Sequence, residues 1–77
     1  MKDKDHIKED LEEQLEIVKQ RLQILDMIEG KLIQMRELAQ TVLDEELTNI
    51  EIQEINTKID FLREQVRLLY SESIQRS

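Results

Sequence analysis

Between Ile7 and Val42 the apolar residues recur at steps of three and four, through Leu11, Leu15, Val18, Leu22, Leu25, Ile28, Leu32, Met35 and Ala39. That spacing lines one continuous stripe of an α-helix and suits no strand, whose side chains alternate with a period of two. The chain contains no proline to break the pattern, and its one glycine, Gly30, lies inside it. Glycine in a helix interior costs about 1 kcal/mol relative to alanine, which a long apolar stripe outweighs. Gly30 therefore marks either a bend or a place where a neighbouring helix comes close. Ile17, Ile24, Ile33 and Leu38 lie beside the stripe and widen it. A stripe of that width predicts a helix with more than one neighbour, as in a bundle.

The pattern lapses at "LDEEL", and Thr48 then stands three residues before Glu51. This is the spacing of a capping box, in which each side chain satisfies a backbone N–H left free at a helix start. A second helix follows on Ile52, Ile55, Ile59, Leu62, Val66 and Leu69, whose alternating steps make a heptad pattern suited to side-by-side packing. The abundant Leu, Glu, Gln, Lys and Ile lose little side-chain freedom in a helix, so composition points the same way. The expectation is an all-α helical hairpin: one helix over about 4–43, a turn over 44–48, a second helix over about 49–71, and a frayed tail over 72–77.

The two arms are unequal. At 1.5 Å per residue the first helix would be roughly 60 Å long and the second little more than half of that. Ile7 to Leu25 would then have no intramolecular cover, so assembly of two or more chains into a multi-helix bundle or coiled coil is expected. The alternative is a monomeric three-helix bundle, with the first helix folded back near Gly30. A chain of 77 residues buries only a modest core, which favours the assembly.

The formal net charge of -7 comes mostly from the first sixteen residues and from Asp44 to Glu54, where five carboxylates stand without a Lys or Arg. Such surfaces repel phosphate backbones, so no nucleic-acid partner is expected. The N-terminal "MKDKDHIKED" has no apolar signal-peptide core, and no later run is long and apolar enough for a membrane span. The absence of Cys is compatible with a reducing cytoplasm. His6 is the only histidine, and the run Asp44, Glu45, Glu46 lacks the alternating ligands and turn glycine of a calcium loop. Phe61 and Tyr70 are too few to stack bases, and Met27 and Met35 read as core filler. Neither a metal nor another cofactor is expected.

The phrase "KLIQMRELAQ", residues 31–40, resembles the helix in the N-terminal part of the core domain of bacterial flagellin, where a phrase close to "LQRMRELAVQ" is typical. The stretch "LTNIEIQEINTKIDFLREQVRLL" is similar to the flagellin segment that follows, with Ile55, Ile59, Asp60, Leu62, Glu64 and Val66 on matching positions and the separation from Met35 to Ile59 preserved. The likeness covers residues 31–69. It implies a shared helical packing unit, and it leaves open export by a flagellar-type route. Asp44-Glu45 replaces the usual Asn-Gly of the linker, Glu29-Gly30 sits about one heptad nearer Met35 than in flagellin, and the filament-forming termini have no counterpart. The resemblance thus implies a small flagellin-like helical protein other than a filament subunit. Gln34 stands where many flagellins carry an Arg that contacts an innate immune receptor, so receptor recognition is not expected.

A second resemblance is to short helical-hairpin phosphatases of sporulation response regulators, whose second helix carries a signature close to "SQELD". Here "NTKID", residues 56–60, supplies the Asp as Asp60, while Asn56 and Thr57 replace the Ser and Gln. The substitutions remove the groups that would orient an attacking water. A non-enzymatic structural or protein–protein interaction module is therefore the expectation, with a response-regulator phosphatase using Asp60 as the alternative. Its contact set is expected to be Leu32, Met35, Leu38, Ala39, Ile55, Ile59, Leu62 and Val66, and its partner a second copy of itself or another helical protein.

Overall fold

The computed structural model describes residues 2–75 and is an all-α helical hairpin of two helices, α1 (Lys2–Asp44) and α2 (Asn49–Gln75). The 43 residues of α1 run unbroken through Gly30, which sets aside the three-helix alternative. A Cβ built on Gly30 would meet nothing within 4 Å, so no part of the chain approaches it closely. The molecule measures 70 × 18 × 10 Å. The longest dimension matches the roughly 65 Å expected of a straight 43-residue helix, and the shortest is one helix diameter. The hairpin is thus a single layer, solvated on both faces.

The junction follows the chemistry of helix ends. Thr48 Oγ1 accepts from the Glu51 backbone N–H at 3.2 Å, and the Glu51 carboxylate accepts from the Thr48 N–H at 3.2 Å and from its hydroxyl at 3.0 Å. Both halves of the capping box are made, and the first backbone bond of α2 runs from Ile52 N–H to Thr48 O at 3.0 Å. Leu47 and Ile52, at the two positions of a hydrophobic staple, are both half-buried. At the end of α1 the Gln40 amide donates to both oxygens of Asp44 at 3.1 Å, and no basic residue lies in the last turn. The acidic turn therefore works against the α1 macrodipole, while Asp3 and Asp5 in its first turn favour it.

The packing seam departs from the stripe read in the sequence. On α2 it is Ile52, Ile55, Ile59, Leu62, Val66, Leu69 and Ser73, none of them exposed. On α1 it is Ile17, Arg21, Ile24, Ile28, Lys31, Met35, Leu38 and Val42, again none exposed. Ile17, Ile24 and Leu38, expected only to widen the stripe, lie at its contact centre. By contrast, Leu11, Leu15, Val18, Leu22, Leu25, Leu32 and Ala39 from the expected stripe are exposed. Two sets of positions, one residue apart and about 100° apart around the helix, both satisfy the steps of three and four. Only one of them can face a single partner helix.

The second helix also runs one turn beyond its expected end. The residues 72–75 are helical, and Ser73 is buried at 7 % exposure. Ser73 continues the heptad Val66, Leu69, and its small side chain lets the helices stay close. Lys31 Nζ donates to Gln65 Oε1 at 2.9 Å, which fixes the antiparallel register. Counting equally along both helices from that pair brings Ser73 level with Gln23, one residue from Ile24, and Gln75 level with Arg21. The extra turn therefore covers Ile24, which had been expected to lack an intramolecular partner. The part of α1 before about Ile17 still extends past α2.

Candidate interaction surfaces

A single layer of two helices encloses little. Ile24 and Ile28, each 8 % exposed, are the only apolar side chains among the described residues that are buried, and none is fully so. Large apolar side chains stand in water instead, and they are not scattered. Most of them fall on two faces of the layer. In antiparallel neighbours the residues one step before the seam on both helices share one face, and those one step after it share the other.

The first face carries a groove. Its larger part, about 700 Å³, is lined by Gln34, Glu37, Leu38 and Thr41 from α1 and by Thr57, Lys58, Phe61 and Leu62 from α2. A shallower part of about 290 Å³ lies further along, between Met27 and Lys31 on one side and Gln65, Leu68 and Leu69 on the other. The half-buried seam residues Leu38, Leu62 and Leu69 lie at its base, and the exposed Phe61 and Leu68, seven residues apart on α2, add apolar flanks. Thr57 does not present a free hydroxyl here, because its Oγ1 donates to the Gln53 carbonyl at 2.9 Å.

The second face carries a row. Leu11, Leu15, Val18, Leu22, Leu25 and Leu32 repeat at heptad spacing along α1, with Ala39 continuing them and Glu29 and Arg36 interrupting. Leu15 is 70 % exposed and Leu22 56 %. Beside the row, α2 presents Asp60, Arg63, Arg67 and Tyr70, each one step after a seam residue. Asp60 and Arg63 pair at 3.2 Å, and Arg67 Nε donates to Glu64 Oε2 at 3.0 Å while its Nη2 donates to Oε1 of the same carboxylate. That fork, chiefly through its hydrogen bonds, lowers the Glu64 carboxyl below the usual range and raises the Arg67 guanidinium.

The contact residues named from the sequence are divided between these places. Met35, Leu38, Ile55, Ile59, Leu62 and Val66 are half-buried in the seam, and Leu38 and Leu62 also line the groove. Leu32 and Ala39 lie on the exposed row. Asp60 is exposed, engages Arg63, and is not among the groove residues. Sequence reasoning missed the cross-helix pair Lys31–Gln65 and the groove; the heptad interval between Phe61 and Leu68 was the available signal for the latter. Among the described residues no cluster of His, Asp or Glu is arranged to hold a metal ion, and no helix is long and apolar enough to cross a membrane.

No protein-family profile, curated protein or solved structure matches this chain.

Proposed function

We propose that this protein is a non-enzymatic helical interaction module that works by self-association into a multi-helix bundle or coiled coil. The observation that carries the reading is the row on α1: six large aliphatic residues from Leu11 to Leu32 exposed at heptad spacing on a layer one helix thick. Burying apolar surface is worth about 25 cal/mol per Å². Domains reach stability with at least two packed layers, and this hairpin supplies one. The charged flanks of the row would select partner and register, as flanking charges do in coiled coils.

The likeness of residues 31–69 to the flagellin core helices supports a packing unit of that kind, acting in a small protein with a helical partner that is itself or another chain. The cytoplasm is the compartment proposed, since a cysteine-free chain has nothing to gain from an oxidising one. The solution mass as a function of concentration tests the reading. A dimer or larger assembly is expected at micromolar concentration, and a monomer throughout the accessible range would refute it.

A further inference from the structure

The row does not specify by itself how a second copy would lie on it; the distribution of charge does. The uncovered end of α1, residues 2–16, carries seven carboxylates against Lys2, Lys4 and Lys8. The paired trunk, residues 21–43 and 55–75, is balanced, with six cationic side chains and six carboxylates. On the face that bears the row, the trunk shows Arg36, Arg63 and Arg67 against Glu29, Asp60 and Glu64, with Arg63 paired to Asp60 and Arg67 to Glu64, so that face is neutral where the overhang is strongly negative. The far tip, from Asp44 to Glu54, is again acidic without a cation. The molecule is therefore negative at both ends and carries its cations in the middle.

Packed helix axes lie about 8–10 Å apart, close to the Debye length of about 8 Å at physiological salt, so these charges act across an interface with partial screening. A parallel, in-register pair would lay one acidic overhang on the other, and would also stack the two acidic tips. An antiparallel pair lays each overhang along the other's trunk. The apolar row permits this arrangement, because Leu11 and Leu15 on the overhang belong to the same heptad row as Leu25, Leu32 and Ala39 on the trunk.

We propose that a second copy of this chain covers the row, with the two α1 helices antiparallel and staggered so that the acidic overhang of each lies on the arginine-bearing face of the other's trunk. The interface is isologous, each copy giving and receiving one overhang, and it closes at a dimer. This rests on the self-association proposed above and fixes its geometry. The groove, on the opposite face, stays outside the dimer contact.

The chain has no cysteine, so introduced thiols report proximity without interference. Leu15→Cys protein is mixed in turn with Leu25→Cys, Leu32→Cys and Ala39→Cys protein, oxidised, and the covalent products are identified by mass. All four positions are exposed in the hairpin, which should tolerate the changes. One of the three mixtures should give the mixed disulfide as its dominant covalent product, since heptad registers bring Leu15 level with one of those positions. Leu15→Cys alone should give little covalent dimer, because antiparallel symmetry holds its two copies more than a turn apart. A dominant Leu15→Cys homodimer would overturn the antiparallel arrangement while leaving self-association standing. A disulfide to Gln34→Cys, which lines the groove, would likewise overturn it. A solution dimer with no mixed disulfide in any of the three mixtures would overturn the arrangement alone, whereas a monomeric solution mass would overturn both readings.

Discussion

The Lys31 ammonium donates to the Gln65 amide oxygen at 2.9 Å across the middle of a mostly aliphatic seam. Ile28 and Met35 flank Lys31 on α1, and Leu62, Val66 and Leu69 surround Gln65 on α2. A polar pair at one level of such a seam favours one register, because a slip by a heptad would break it and leave the Gln65 amide facing Leu38 or Ile24. Gln65→Ala should lower stability by about 1–2 kcal/mol, the range for a hydrogen bond to a charged group, read from the thermal midpoint. Lys31→Leu should leave the hairpin as stable or more so, but broaden its unfolding transition as alternative registers become accessible.

The capping box joins Thr48 and Glu51 at the start of α2. Thr48→Ala removes the acceptor for the Glu51 N–H and the hydroxyl that steadies the Glu51 carboxylate. The loss should be about 1 kcal/mol, the usual worth of an N-cap. Thr57→Ala serves as the control, since that hydroxyl only returns a bond to its own helix and its removal should leave the midpoint within about 0.5 kcal/mol of the parent.

Gly30→Ala should stabilise the protein. The position is helical, its φ is ordinary, and an added Cβ meets open space. Alanine exceeds glycine in helix propensity by about 1 kcal/mol, so the midpoint should rise accordingly. A fall would mean that something outside the hairpin approaches Gly30, as when a partner helix sits on the groove face.

The Glu64–Arg67 fork gives a titration with a defined sign. Its hydrogen bonds hold Glu64 below the usual carboxylate range. A carboxyl whose folded pKa is depressed adds stability that is present above its unfolded pKa and is lost as pH falls through the folded one. The pair is solvent-exposed, so the contribution is small and salt-sensitive. Following the Glu64 carboxyl by NMR should show titration below that of an unpaired Glu, and Arg67→Ala should return it to the ordinary range.

Much of the architecture was legible in the sequence, because the signals were local. The start of α2 follows from Thr48 and Glu51, and the helicity of both arms from their spacing and the absence of proline. What was not legible depends on the other helix. Ile24 and Leu25 are equally apolar and adjacent, and only the placement of α2 decides that Ile24 is covered while Leu25 stays 44 % exposed. The end of α2 was missed for a related reason. Ser73 carries no hydrophobic signal, and it holds a helical turn in place only because α1 offers a surface at that level. The two faces of the layer could not be separated without knowing which heptad set forms the seam, so Leu32 and Ala39 were grouped with Met35 and Leu38.

The central claim is that the seam holds the hairpin together and the row holds copies together. Light scattering combined with circular dichroism separates the two directly. Leu15→Asp with Leu22→Asp, both on the row, should reduce the solution mass to one chain while α2 and the paired part of α1 stay helical. Met35→Asp with Leu62→Asp, both in the seam, should abolish most of the helical signal. If the row variant kept the parent's assembled mass, or if the seam variant stayed fully helical at unchanged mass, this division of labour would be contradicted.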